Sequence, residues 1–226
     1  MRRRQAYTPL GLRWRPLYVT CVDDTLHELG ILYATMGRLE EAVTFHRQAA
    51  NIHSTLGDLM GEGKARNNLA YTLMKLQRYD NARCELQRAR ACFEPFGHAA
   101  ARWTTWDILC DLEQSAGNPQ AATAAWQQAV QCYLAYRRDG GESQDPRALL
   151  CADIADAIRQ GDTTEVTQLR TQLAADADTP PQLQALLPKL HAILHGDRKP
   201  VLADDPALDC RDAAELLLLL EKLAEQ

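Results

Sequence analysis

The fold is decided by a segment that occurs three times in the chain, at intervals of 40 residues. The first copy is LHELGILYATMGRLEEAVTFHRQA at residues 26–49. The second is RNNLAYTLMKLQRYDNARCELQRA at 66–89, and the third is WDILCDLEQSAGNPQAATAAWQQA at 106–129. All three copies share a leucine near the start and two alanines in the second half. Self-similarity at a fixed period of this size is typical of a stacked repeat array.

Each copy has the pattern of two helices joined by a turn. In the first copy Leu26, Leu29, Tyr33 and Met36 have helical spacing, and the chain turns at Gly37. The equivalent turns fall at Gln77-Arg78 and Gly117-Asn118, where Asn118 is expected to cap the helix that starts at Pro119. No segment alternates with the period of a strand, so the sequence predicts an all-α fold.

The repeated positions resemble the tetratricopeptide repeat (TPR) family. The residues that carry the resemblance are Leu29-Gly30, Tyr33, Ala42 and Ala49 in the first copy, Leu69-Ala70, Ala82 and Ala89 in the second, and Trp106, Leu109, Ala122, Trp126 and Ala129 in the third. His46, Cys110 and Glu113 depart from the family pattern. The resemblance implies a TPR-like α-solenoid, a right-handed superhelix of helix pairs. The period of 40 is similar to that of kinesin-light-chain repeats.

The C-terminal third predicts further helices of less regular pattern. Arg147–Gln160 and the segment from Asp162-Thr163-Thr164-Glu165 to about Ala175 resemble a degenerate helix pair, opened in the second case by a capping box. Another helix is expected from Pro181 to His195, and a last one over Ala207–Leu223, with five consecutive leucines at 216–220. The predicted segments are a basic, poorly structured extension at 1–20, three repeats at 21–138, a loop at 139–146, a degenerate fourth pair at 147–179, and capping helices at 180–226.

Composition narrows the classes of function. The formal net charge is -5, although residues 1–20 hold five arginines and no acid, so the body of the chain is acidic. An acidic body is unsuited to nucleic-acid binding, and no apolar run approaches the length of a membrane span. Seven cysteines without a CxxC pair favour free thiols in the cytoplasm.

The sequence predicts no residues for catalysis, cofactor binding or metal binding. The segment Gly57–Ala65 has some likeness to a phosphate-binding loop, but the glycine spacing is wrong and Ala65 replaces the Ser or Thr that holds magnesium. We interpret it as the turn between two repeats. His191 and His195 share a helix face but lack a compelling third ligand, so they are expected to be packing or surface residues, as His46 and His53 are expected to be core residues.

In TPR arrays the first helices line a concave groove, and the resemblance therefore implies a partner-binding surface. The groove positions are Asp24, His27, Glu28 and Ile31 in the first repeat, Lys64, Asn67, Asn68 and Tyr71 in the second, and Thr104, Asp107, Asp111 and Gln114 in the third. Asn67-Asn68 resembles the asparagine pair with which kinesin-light-chain-like repeats hold a peptide backbone. The clamp that binds acidic C-terminal tails in this family is matched only at Asn68.

The sequence thus predicts a non-enzymatic protein–protein interaction module that binds a polar or basic peptide or protein. The overall pattern also resembles the C-terminal TPR sensor region of bacterial STAND-class signalling NTPases, which implies a role within a larger signalling assembly. The alternative is a self-association module, in which the leucine-rich last helix forms a homodimer interface.

Overall fold

The computed structural model describes residues 15–99, 102–176, 178–205 and 207–224, with the side chains of 15–24, 98 and 99 outside that description. Within these ranges the chain forms helices and turns and no strand, which confirms the predicted all-α class. Two short 3-10 segments lie at Glu94–Ala99 and Pro200–Ala203. The α-helices are α1 Arg15–Thr35, α2 Leu39–Leu56, α3 Leu59–Lys75, α4 Tyr79–Phe93, α5 Arg102–Ser115, α6 Pro119–Arg138, α7 Pro146–Gln160, α8 Thr164–Ala175, α9 Pro181–Leu194 and α10 Cys210–Ala224.

The chain divides into two compact units, residues 1–95 and 96–226, so the boundary falls between the second and third repeats. The sequence placed all three repeats in one segment at 21–138. Helix α1 begins at Arg15, inside the segment 1–20 that the sequence assigned to a poorly structured extension. The remainder of that extension lies outside the described residues.

In the first unit, α1 to α4 pack in chain order, each helix against the next. The recurring alanines are the points of closest approach, since Ala42, Ala49, Ala82 and Ala89 are almost completely buried. A side chain without atoms beyond Cβ lets two helix backbones come close, and a larger one would force them apart. The repeat positions identified in the sequence are therefore the packing positions of this unit.

The turn inside each helix pair has the same geometry in all three copies. Gly37, Gln77 and Gly117 adopt positive φ angles of 75°, 58° and 77°. In each case the next residue's N–H donates to a carbonyl five residues earlier, as Arg78 does to Leu73 at 2.9 Å. This hydrogen bond is typical of an α-helix that ends in one residue of left-handed backbone conformation. Glycine adopts that conformation at the least steric cost. Gln77 keeps the conformation without being glycine.

The predicted cap at Asn118 is wrong in one respect. Pro119 does begin α6, but Asn118 makes no capping hydrogen bond to that helix. Its Nδ2 donates to Glu113 Oε2 at 2.8 Å instead. Glu113 is buried, and an amide N–H within reach offsets part of the cost of burying a carboxylate. Asn118 therefore stabilises an unusual core acid rather than a helix end.

The second unit is organised around its last helix, α10, which packs against α6 and α7. Leu216, Leu219 and Leu220 are buried there, as the capping interpretation of the leucine run requires. Two polar contacts join α10 to α6: Tyr133 donates its hydroxyl to Glu215 Oε1 at 2.8 Å, and Arg137 forms an ion pair with the same carboxylate at 2.7 Å. The predicted start of this helix at Ala207 is three residues early, because Asp209 caps it by accepting the N–H groups of Arg211 and Asp212.

Candidate partner-binding face

The candidate site is built on α1 and α3, the first helices of the first two repeats. The α1–α3 face comprises His27, Glu28 and Ile31 from α1 and Lys64, Asn68 and Tyr71 from α3. Ile31 lies three and four residues after Glu28 and His27, and Lys64, Asn68 and Tyr71 recur at spacings of four and three, so each set lies along one side of its helix. Asp24, the remaining predicted member from α1, lies outside the described side chains.

A hydrogen bond joins the two helices at the centre of the face. Asn68 Nδ2 lies 3.2 Å from His27 Nδ1, and both side chains are half-buried. One amide N–H and the Oδ1 carbonyl of Asn68 remain for other contacts, because an asparagine side chain has two donor hydrogens and an acceptor oxygen. The contact fixes the position of the amide that the sequence singled out for holding a peptide backbone.

An apolar side chain is exposed one turn further along each helix from this pair. Ile31 is 41% exposed and Tyr71 is 42% exposed. The ammonium group of Lys75 lies 4.6 Å from the centre of the Tyr71 ring, close enough for a cation–π contact. Lys75 was absent from the predicted groove, although its position one turn after Tyr71 was a usable signal. The face thus presents a hydrogen-bonding pair together with an exposed apolar side chain on each of its two helices.

Asn67 does not share this exposure. The side chain is 7% exposed and belongs to the buried part of α3. Neighbouring residues on a helix point about 100° apart, so one asparagine of the pair faces solvent while the other faces the core. The predicted pair is therefore split between two environments, and Asn68 is the member placed on the face.

A cavity of about 340 Å³ opens at one end of the face. His27 and Lys64 line it together with His53 and Asp58, whose side chains lie 2.9 Å apart. The floor includes Gly61, where a Cβ would collide with the His53 ring. The segment interpreted as an inter-repeat turn is helical from Leu59 onward, and its glycines serve packing, since Gly63 lies against the Phe93 ring in the same way.

The four predicted groove residues of α5 belong to the second unit. Thr104, Asp111 and Gln114 are exposed on α5, whereas Asp107 is half-buried. Burial raises the pKa of Asp107 to about 6, with a further contribution from the charge of Asp111. The Cys210 thiol of α10 donates a hydrogen bond to the Asp107 carboxylate. This position is therefore partly occupied by contacts within the unit.

The other candidate residues show structural roles. His46 is 2% exposed and packs in the core of the first unit, and burial lowers its pKa to about 4. The rings of His191 and His195 contact each other at a tilted angle, with their centres 4.1 Å apart. Within the described part of the chain, no group of three or more His, Cys, Asp or Glu side chains is arranged to hold a metal ion. No described helix is both long and apolar enough to cross a membrane.

Comparison with known proteins agrees with this architecture of paired helices. Residues 22–94 match the family model of the tetratricopeptide repeat. That match includes α2, α3 and α4, so the chain is similar to the tetratricopeptide repeat family over those residues. Proteins of this family are, in general, scaffolds for protein–protein interaction.

A solved structure of nearly identical kinesin light chain TPR-like repeats from Podosopora anserina is also similar. The two chains are 18% identical, and the alignment covers 89% of this chain and 95% of that chain with a TM-score of 0.47. Comparison with curated proteins gave no match.

Proposed function

We propose that the α1–α3 face binds an extended segment of a partner protein. The observation that carries the proposal is the Asn68–His27 hydrogen bond, with Ile31 and Tyr71 exposed one turn further along the same two helices. A peptide backbone laid across α1 and α3 would exchange hydrogen bonds with the Asn68 amide. Its side chains would cover the two apolar surfaces, removing them from water.

The proposed ligand is polar, with a basic group near Glu28, which is exposed on α1. Lys64 and Lys75 lie on α3, one turn before and two turns after Asn68, so acidic groups of the ligand would be accommodated there. Because exposed charges steer association more than they add affinity, binding should be faster at low salt.

The chain is proposed to act as a non-catalytic adaptor or sensor in a signalling assembly within the cytoplasm. The described cysteines Cys84, Cys92, Cys110, Cys132, Cys151 and Cys210 are free thiols, which suits a reducing compartment. Self-association through the leucine-rich helix gains no support from the packing, because Leu216, Leu219 and Leu220 are already buried against other helices of their unit.

The experiment uses peptides selected on the full chain from a phage-displayed random library, with affinity measured by fluorescence anisotropy. Replacing Asn68 by Ala is expected to weaken binding by about 1–3 kcal/mol, since a ligand group would lose its partner in a desolvated contact. Asn51→Ala is the matched control, because Asn51 is exposed on α2 away from the face. Selected peptides that bind the Asn68→Ala and Tyr71→Ala variants as tightly as the parent chain would contradict the proposed site.

A further inference from the structure

Helix α8 is poorly covered by the rest of the second unit. Val166 is the one buried residue in the whole helix. Leu169, one turn on, is 43% exposed, and Leu173 is half-buried. A helix in a globular unit usually buries a continuous apolar stripe, whereas α8 leaves the middle of its stripe open to solvent.

The uncovered stripe forms one side of a groove between α7 and α8. The groove has a volume of about 790 Å³, within the range of protein ligand sites. Its apolar floor is Ala157, Val166 and Leu169, and Gln160 lies beside them. The floor is thus a surface from which water could be displaced with a gain in free energy.

The walls of this α7–α8 groove carry charge of one sign. Asp153 and Asp156 project from α7, and Asp162 and Glu165 stand at the start of α8. All four are exposed, and none of the described residues that line the groove is a lysine or arginine. Asp156 forms an ion pair with Arg159, and Asp162 accepts the N–H of Thr164 at 3.0 Å, which accounts for two of the four acids as local structure. Asp153 and Glu165 remain, one on each helix of the groove.

We propose that the α7–α8 groove docks a basic amphipathic helix of a partner protein. The apolar side chains of that helix would cover Leu169 and Val166, and its lysines or arginines would lie opposite Asp153 and Glu165. The apolar floor favours a helix with an apolar stripe, and the acidic walls select a basic one over an acidic one. The same acidic walls repel nucleic acid and anionic membrane surfaces.

The test uses the full chain and a fluorescein-labelled synthetic amphipathic helix of lysine and leucine, with a glutamate–leucine helix of equal length for comparison. The lysine helix is expected to bind at low salt, and the glutamate helix is expected not to bind. Replacing both Asp153 by Asn and Glu165 by Gln should raise the dissociation constant about fivefold, from the loss of two partly exposed charge contacts. Leu169→Ser should weaken binding at high salt as well, because the contribution of its side chain is apolar.

The matched control is Asp204→Asn combined with Glu142→Gln, which changes the net charge equally at exposed sites outside the groove. This control should bind like the parent chain. Equal weakening in the control and groove variants would show attraction to overall charge and would overturn the proposal, as would the absence of any binding. The Asn68→Ala variant should bind this helix normally, so failure here is distinguishable from failure of the α1–α3 face.

Discussion

The imidazole ring of His46 on α2 lies directly over Gly30 on α1, in the space that a side chain at position 30 would need. A Cβ at position 30 would collide with the ring, and both residues are buried. The contact explains why the first repeat has glycine after Leu29 and can hold a ring at position 46. The absence of a side chain on one helix makes room for the ring on the other.

The Gly30→Ala variant should lose stability. Overpacking a buried contact typically costs about 1–3 kcal/mol, and here the gain in helix propensity from alanine offsets up to about 1 kcal/mol of it. Chemical denaturation would measure the difference. The second substitution His46→Ala should be less harmful when combined with Gly30→Ala than in the parent chain, because the collision is then removed. Additive effects of the two substitutions would contradict the proposed contact.

His46 should make the first unit less stable in acid. Burial, with a smaller contribution from nearby His27, lowers the pKa of His46 from 6.5 to about 4. The unfolded chain therefore takes up the proton first as pH falls. The contribution of neutral His46 to stability is complete above pH 6.5 and is lost between pH 6.5 and pH 4. The loss is about 3 kcal/mol in all. Denaturation midpoints across this range should fall less steeply with acid in His46→Phe, and an unchanged slope would refute the assignment.

Gln77→Gly should stabilise the chain. Gln77 is the one described residue other than glycine with a positive φ angle, and glycine avoids the steric cost of that conformation. After the greater entropy of glycine in the unfolded state is deducted, the gain is about 0.5–1 kcal/mol. Gln87→Gly, at an exposed position inside α4, should instead destabilise by about 1 kcal/mol. Thermal unfolding distinguishes the two variants, and a lower midpoint for Gln77→Gly would contradict the prediction.

Local pattern was sufficient to predict the helices, but not their partners. The equivalence of Gly37, Gln77 and Gly117 follows from the period alone, and the structure gives all three the same backbone conformation. Packing of α10 against α6 is different, because it joins residues about 80 positions apart, such as Tyr133 and Glu215. No local signal in either segment specifies that pairing.

For the candidate site too, the local pattern predicted which helix side is exposed but not the tertiary contacts. Helical spacing placed His27 and Asn68 on the exposed sides of their helices, yet it could not separate Asn67 from Asn68, because adjacent residues straddle the boundary between core and solvent. The contact between Asp107 and Cys210 depends on where the last helix docks. The α7–α8 groove depends on how little of α8 is covered, which is a property of the tertiary packing.

The leucine run should contribute unequally to stability, residue by residue. Leu216 is completely buried between helices of the second unit, whereas the next residue, Leu217, is only half-buried. Leu216→Ala should cost about 3 kcal/mol, from lost apolar burial and the cavity left behind. Leu217→Ala should cost about 1 kcal/mol.

Deleting residues 207–226 should expose the surfaces that α10 covers and cause aggregation, visible in light scattering. A monomeric truncated chain with unchanged melting would show that α10 is not a structural cap.

Substitution of Arg147 should strongly lower the stability of the second unit. Its guanidinium lies 2.6 Å from Asp209, 2.7 Å from Asp212 and 2.9 Å from Asp145, and the Asp212 side chain is 2% exposed. Arg147→Ala would leave that carboxylate buried without its nearest positive charge, at a cost of about 3 kcal/mol near pH 8. Burial and the charge of Asp209 raise the pKa of Asp212 to about 7, so in the folded chain it is largely protonated at pH 5. A protonated carboxyl group needs no counter-charge, and the cost of Arg147→Ala should therefore shrink at pH 5.

Adding Asp212→Asn to Arg147→Ala should recover part of the lost stability at pH 8. Arg211→Ala is the control, because Arg211 is 42% exposed and contacts Asp145 at 3.2 Å, so its removal should cost under about 1 kcal/mol. Equal losses for Arg147→Ala and Arg211→Ala in denaturant titrations would show that the buried carboxylate does not depend on Arg147.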